Sequence, residues 1–593
     1  MLRVADYIIQ RLYQAGAEHL FMVTGRGVLY LSDAAARHGR IHCICVHHEQ
    51  AASYAAMAYA QKNERIGACL VSTGCAATNA ITGVLCSWQD NIPCVFISGQ
   101  NTLHETVRYT KLPIRTYGQQ EADIVAIVQS ITKYATMITK PNEIAYEIDK
   151  ALYLAQSGRK GPVWIDIPLD IQNMRIDPIE LKRFIPENMN TSFSDEDITY
   201  VIESLNFAER PVVFIGSGIR SGEAINEFKE FLNKNHIPVV YAPSATDIYG
   251  NENELSIGTV GTMGCNRAAN FTIQNSDLVL VLGCRLSSMV VGNDSQKFAR
   301  AAKIIIVDID PYEPQKNTVK VDRVILSDVK NFLIELCHKR IKEVREEWIE
   351  KCKHWKEIFP KCEEKYKQSK EIDLYYLAEG LSYYLDDDAV VVTDAGLEEL
   401  IIPTTVAFIK NQRCIHPSSQ GAMGYALPAA IGAYCAGGKQ VVAVIGDGSV
   451  MMNLQELQTI SYNKFPLKIL IINNNCYAII RKRQQDLFRT RTIGTDKSNG
   501  VSCPDFKKVA ESFDIHYEKI EKSSELSKKL QKVLNLNVPV ICEILGCENQ
   551  EYIHSSYIRN AKGYFVRCPL EDQSPFLDRE LFNSEMIVEV TDQ

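Results

Sequence analysis

An α/β architecture of three doubly wound parallel-sheet domains is predicted for this chain by three observations. Short apolar runs of strand length alternate with helical segments along most of the 593 residues, a pattern that requires parallel strands covered on both faces. The alternation restarts twice, after a break near residues 178–197 and after a charged stretch near 330–370. In each block one strand runs into a glycine-containing turn: Thr24-Gly25-Arg26-Gly27, Gly216-Ser217-Gly218 and Gly446-Asp447-Gly448.

In the first block, residues 1–178, positions 6–14 read as a helix and 19–23 as a strand. A helix of small residues follows at 50–61, then strands at 66–72, 93–98 and 163–167. The second block, 195–345, opens with the strand from Pro211 into Gly216-Ser217-Gly218 and continues with strands at 238–241, 278–283 and 303–308. The charged stretch at 330–370 reads as helical. The third block, 370–560, has strands at 390–393, 440–445, 467–472 and 539–544. The pattern becomes less regular from about Cys547, and residues 561–593 form a C-terminal tail.

Composition excludes several function classes. The net charge of −8 argues against a nucleic-acid binder held by a general basic field. Met1-Leu2-Arg3 leads into a charged amphipathic segment without the apolar core of a secretory signal. No apolar run reaches the roughly 18 residues of a membrane span. The 18 cysteines are scattered without a zinc-type CxxC pair, and Cys43, Cys45, Cys69 and Cys94 read as lying inside apolar strands. Reduced structural thiols in a cytoplasmic protein are expected.

The chemistry is concentrated around residues 441–475. An apolar strand enters Gly446-Asp447-Gly448-Ser449, a helix is expected over about 450–463, and a second strand ends in Asn473-Asn474-Asn475. In a parallel sheet both strand ends emerge at the same carboxyl edge, where ligands bind. Asp447 and Asn474, 27 positions apart, are thereby brought together. A carboxylate and an amide oxygen suit a hard cation such as Mg²⁺. The glycines permit close approach of a diphosphate, and a helix start after Ser449 would offer N–H groups to it. A Gly-Asp-Gly turn by itself would fit a loop without a ligand.

Four further stretches join this one: His47-His48-Glu49-Gln50-Ala51-Ala52, Gln120-Glu121-Ala122-Asp123-Ile124-Val125, the run from Ser157 to Pro168, and the run from Gln420 to Pro428. With them, nearly the whole chain resembles the thiamine-diphosphate-dependent acetolactate synthase-like (acetohydroxyacid synthase large-subunit) family. The resemblance implies a pyrimidine-binding domain, a central domain and a diphosphate-binding domain, with thiamine diphosphate and Mg²⁺ as cofactors. It implies Mg²⁺ on the side chains of Asp447 and Asn474 and the carbonyl of Cys476. Glu49 falls on the family's activating glutamate, whose carboxyl group sits beside the aminopyrimidine ring and promotes the imino tautomer that takes the proton from the thiazolium carbon. Gly421 offers its carbonyl to the aminopyrimidine, and Met423 supports the bent cofactor. The remaining implied cofactor contacts are Gly396, Gly446, Gly448, Ser449, Tyr477, Ala478 and Ile479. Gln120 matches an active-site glutamine and Lys133 a lysine near the substrate. Leu397-Glu398 departs from the Gln-His usual before the diphosphate.

Many family members carry FAD on the central domain. The segments that match its contacts here are Arg159, Gly216-Ser217-Gly218, Gly261-Thr262-Met263, Gly283, Arg285 and Asp308-Ile309. Ser287, Met289 and Ala242 depart from that pattern, and a central domain that binds nothing or another nucleotide stays open.

The resemblance implies a decarboxylating carboligase in which pyruvate supplies a hydroxyethyl unit to a carbonyl acceptor. Arg483 stands where synthases have a tryptophan, with Ile480 and Arg481 before it and Arg489 and Arg491 after. Arginine suits phosphate. Residues 24–33, which include Arg26, and residues 569–578 look like relatives that modify sugars for surface polysaccharides. The acceptor is therefore either a second 2-oxoacid or a nucleotide-linked keto-sugar, unless the basic residues are only a solvated helix face. A plain 2-oxoacid decarboxylase and a catalytically silent binding protein of this fold are the alternatives. The family's site lies between two subunits, which implies a homodimer or homotetramer.

Overall fold

The computed structural model describes residues 1–186, 193–316, 319–559 and 563–591. Part of the sequence break near 178–197, and residues 561–562 and 592–593 of the tail, lie outside the described residues. Three six-stranded, wholly parallel sheets dominate the fold. The first has the order His42–Cys45, His19–Met22, Gly67–Val71, Cys94–Gln100, Val163–Pro168, Tyr134–Met137. The third repeats this topology with Arg413–Ile415, Val390–Thr393, Val441–Gly446, Lys468–Asn473, Val540–Leu545 and His516–Ile520. The central sheet differs: Ser256–Thr259, Val239–Tyr241, Pro211–Ile215, Leu278–Leu282, Lys303–Asp308, Arg323–Leu326. Its chain order is the 3-2-1-4-5-6 of dinucleotide-binding domains, whereas the outer two run 2-1-3-4-6-5.

The strand order places the glycine turns. In the outer sheets the order reverses between the first and third strands, and in the central sheet between the first and fourth. Thr24 to Gly27, Gly216 to Gly218 and Gly446 to Gly448 each leave a strand at such a reversal, where helices diverge and open a crevice.

The helix Glu49–Asn63 joins the first and third sheets. It is buried from Ala51 to Ala60 and packs along Ala426–Cys435, itself buried from Ala426 to Ala433. Small residues allow the approach: a Cβ on Gly432 would lie 2.0 Å from the Ala55 carbonyl oxygen. One apolar core consequently runs through both domains, while the central sheet keeps its own clusters on its two faces.

Three readings are corrected. The 330–370 stretch is not one helical run but Val329–Cys337, Glu346–Ile358 and Glu364–Lys367, and the middle helix buries Trp348, Cys352 and Trp355 against the central domain. Cys43 and Cys45 are exposed, because their strand lies at a sheet edge. The chain beyond Cys547 is also more ordered than its pattern suggests. Tyr557–Arg559 pairs antiparallel with Phe565–Arg567, a helix spans Arg579–Glu585, and buried Glu571 binds Arg300 at 2.7 Å. All 18 cysteines are free thiols, and among the described residues no helix is long and apolar enough to cross a membrane.

Candidate active site

The strand Val441–Gly446 delivers Asp447 to the carboxyl edge of the third sheet, and the adjacent strand Lys468–Asn473 delivers Asn474. Asp447 is buried, and one carboxylate oxygen accepts the Asn475 N–H at 2.7 Å. Burial pushes its pKa up to about 6, against the pull of the surrounding backbone N–H groups. Asn474 is also buried, and its side-chain oxygen accepts the Cys476 N–H at 3.2 Å. Gly448 is required by contact: a Cβ there would fall 2.0 Å from the Tyr477 ring.

The long helix expected after Ser449 is not formed. A 3-10 turn at Val450–Met452 comes first, and the helix proper is Glu456–Asn463. Between them Asn453 turns inward, donating to the Gly424 carbonyl at 2.9 Å and to Gln50 at 3.1 Å. These bonds hold the helix start away from the Gly-Asp-Gly turn, so the N–H groups nearest a ligand there belong to the turns.

Asp394 escaped the sequence reading and organises this edge. Its buried carboxylate accepts the N–H groups of Gly424, Ala426 and Ala395 at 3.0, 2.7 and 2.9 Å. It thereby pins the loop bearing Gly421 and Met423 beside the strand end at Gly396. Glu398, one turn on, is buried against Gly396 and Gly446. Burial pushes its carboxyl up to about 8, with Asp394 and Asp447 adding to the effect. Leu397 turns into the apolar core.

Glu49 begins its helix at the carboxyl edge of the first sheet, half-buried, and accepts from Asn79 Nδ2 at 2.9 Å. The segment is tied to the third domain by His47 N–H donating to Glu456 at 3.0 Å. Among the described residues no hydrogen bond joins Glu49 to Asp447, Asn474 or Met423 of the same chain. Gln120 lies at this edge, exposed and with φ of 58°, its carbonyl packed on Gly74. Arg26 reaches the same loop through Gln119 at 2.5 Å.

Lys133 does not join them. It precedes the strand Tyr134–Met137, at the opposite edge, because its N–H bonds the Pro162 carbonyl at the amino end of Val163–Pro168. Its ammonium donates to the Ser157 carbonyl, and burial lowers its pKa to about 8. Arg481 is corrected too. It is buried and bound to Glu548 and Asn549, so it is engaged in holding the 548–549 segment. Arg483 remains exposed on the helix Ala478–Phe488 with its guanidinium 3.7 Å from Met263 Sδ, and Ile480 is half-exposed beside it.

The central crevice holds a cavity of about 420 Å³ lined by Arg159, Gly216 to Gly218, Gly283, Arg285, Asp308 and Ile309. Gly216 and Gly218 are needed to pack on Gly283, whose backbone would lie 2.4 and 2.6 Å from their added Cβ atoms. Arg159 points to Asp310 and Glu313 and binds Asn91 at 2.6 Å. Gly261, Thr262 and Met263 fall outside the lining; the Thr262 N–H bonds the carbonyl of Met289, which does line the cavity.

The sequence matches three family models: "Thiamine pyrophosphate enzyme, N-terminal TPP binding domain" over residues 2–127, the central domain over 198–336, and the "C-terminal TPP binding domain" over 394–544. The acetolactate synthase large subunit of Haemophilus influenzae is 30% identical over 566 residues, covering 94% of this chain and 96% of the relative. That of Corynebacterium glutamicum is 31% identical, covering 92% and 87%. That of Lactococcus lactis is 30% identical, covering 93% of each. The chain belongs to the thiamine-diphosphate-dependent acetolactate synthase-like family. For a member of this family the geometry fits the expected groups. One buried carboxylate, one amide oxygen and one nearby carbonyl suit Mg²⁺, which keeps water and phosphate oxygens as its other ligands. The glycine-floored cavity of the central domain, with the Asp308 carboxylate able to accept from hydroxyl groups, is of a size suited to a nucleotide cofactor.

Proposed function

We propose that this acetolactate synthase-like enzyme is a decarboxylating carboligase that takes a two-carbon unit from pyruvate and delivers it to a second 2-oxoacid. The observation that carries this reading is the end-to-end similarity to acetolactate synthase large subunits, joined to a carboxyl edge that assembles Asp447, Asn474 and the Asp394-anchored loop. Asp447, Asn474 and the Cys476 carbonyl would hold Mg²⁺, and the Gly446 and Gly448 backbone would meet the diphosphate. Thiamine diphosphate, when bound, supplies the nucleophilic carbon and the electron sink for decarboxylation. Gly421 and Met423 orient its pyrimidine ring, and the Glu49 carboxyl shares a proton with a nitrogen of that ring. Glu49 has its partner Asn79 in its own domain and, among the described residues, no hydrogen bond to Asp447, Asn474 or Met423 of the same chain, which supports a homodimer or homotetramer completing each site across subunits. The glycine-floored cavity supports FAD, and the free thiols support a reducing, cytoplasmic setting.

A second acceptor, a nucleotide-linked keto-sugar, is favoured by Arg483. It is exposed beside Met263, and no ion pair engages it among the described residues. Purified enzyme given pyruvate and a panel of 2-oxoacids and sugar nucleotides, with products read by mass spectrometry, tests both acceptors. Acetolactate as the sole product excludes the sugars tested; a two-carbon adduct of a sugar nucleotide without acetolactate reverses the assignment. Glu49→Gln is expected to abolish turnover while thiamine diphosphate still binds, and unaltered turnover would refute its role. A yellow protein that releases FAD on denaturation identifies the flavin.

A further inference from the structure

A separate cavity of about 270 Å³ opens where three parts of the chain meet: the start of the helix Arg267–Asn275, the connector 358–364 and the C-terminal tail. Its lining includes Arg267, Lys361, Phe359, Tyr375, Ile553 and Leu577. None of these belongs to the metal edge or to the glycine-floored cavity.

Its lining sets two cations, Arg267 and Lys361, beside two carboxylates, Glu363 and Glu364, yet no ion pair joins a member of the one pair to a member of the other among the described residues. Arg267 is only 6% exposed. Its terminal nitrogens donate to the main-chain carbonyls of Gln573 and Pro575, and its Nε, fully buried, has no hydrogen-bond partner among the described residues. No carboxylate forms an ion pair with it among those residues. The nearby acids are already engaged: Glu363 and Glu551 share the Lys365 ammonium at 3.2 and 2.7 Å, and Glu364 faces Lys367 at 3.7 Å. Lys361 is a second cation without an ion pair among the described residues, donating to Asn251 Oδ1 at 2.8 Å. Burial depresses the pKa of both groups, and that of Lys361 falls to about 7. The start of a nine-residue helix adds its positive end. A buried guanidinium without an ion-pair partner in contact is costly, and an anion bound on it relieves that cost. Apart from its four charged residues and Asn266, the lining is apolar or aromatic and includes Phe359, Ile553, Leu577 and the Tyr375 ring.

We propose that this cavity binds a short aliphatic carboxylate, its carboxylate group on Arg267 and its hydrocarbon body against Phe359, Ile553 and Leu577. A cation set among apolar walls favours such an amphipathic anion over a strongly hydrated one such as phosphate. Because Ile553 accepts the Gly264 N–H at 2.7 Å, the ligand would sit directly behind the loop that carries Met263.

Calorimetric titration of the full chain with isobutyrate, its neutral analogue isobutyramide, and inorganic phosphate tests the site. Saturable binding of one isobutyrate per chain is expected, with isobutyramide and phosphate at least about tenfold weaker, as a charge-assisted bond predicts. Arg267→Met should weaken isobutyrate by a similar factor. Since Arg267 also holds the tail, Leu577→Trp serves as the second variant. It keeps the guanidinium, fills the cavity, and should abolish binding while the unliganded protein retains its circular dichroism. No saturable heat up to roughly 10 mM isobutyrate, or affinity unchanged in both variants, overturns the site. Phosphate binding more tightly than isobutyrate overturns the aliphatic class. None of these readouts depends on turnover, so failure here leaves the proposed carboligase untouched.

Discussion

Asp394 belongs to no motif, yet three backbone N–H groups converge on it, and through them it positions Gly421 and Met423. Asp394→Ala leaves those donors buried and unmatched, which predicts a loss of about 3 kcal/mol in denaturant unfolding together with weaker thiamine diphosphate binding. Glu398 carries a pH signature. Its folded pKa, about 8, lies above that of an unfolded glutamate, so its contribution is full below about 4.5 and is lost as pH rises through about 8. The thermal midpoint of the apoprotein should therefore rise for Glu398→Gln relative to wild type as pH climbs from about 4.5 to 8. A gap that stays constant with pH would rule this out. Neither residue announces itself in sequence, because a carboxylate declares its environment only once the fold has buried it.

At the scale of elements, the interior strands were legible and the edges were not. Val390–Thr393, Val441–Gly446, Lys468–Asn473 and Val540–Leu545 are buried along almost their whole length and read as largely apolar runs, with Glu543 the one charged residue in their interiors. Tyr134–Met137, Arg323–Leu326 and His516–Ile520, which gave no such run, are sheet edges with partly exposed residues. An edge strand has one neighbour and less cover, so its side chains need not be apolar. The helix pair Glu49–Asn63 and Ala426–Cys435 makes the opposite demand, extreme closeness. Gly432→Ala would push a methyl into the Ala55 carbonyl, and a destabilisation of about 1–3 kcal/mol is expected in chemical denaturation.

The whole molecule is stapled where its three domains meet. Arg220 and Arg413 each bind both Glu64 and Asp247, at 2.8 to 3.3 Å, joining the first, central and third domains in one network. Arg413→Met leaves Asp247 with half of its compensation and should cost about 3–5 kcal/mol, as expected for breaking a buried ion pair. Differential scanning calorimetry should then show the single transition broaden or split; a sharp, unshifted melt would show the network to be dispensable.

The sequence by itself determined what depends on local pattern. Apolar runs specified the inner strands of three sheets. Glycine turns specified where those strands end, and the separation of Asp447 from Asn474 marked one site, since a βαβ unit returns both to one edge. Only the tertiary structure decided what depends on long-range neighbours. It withdrew Lys133 to the far edge of its sheet and engaged Arg481 with Glu548. It delayed the helix after Ser449 so that Asn453 could reach Gly424, and it left Arg267 without an ion pair among the described residues. Charge pairing, burial and access are properties of residues distant in the chain, and the pattern of neighbours along it does not encode them.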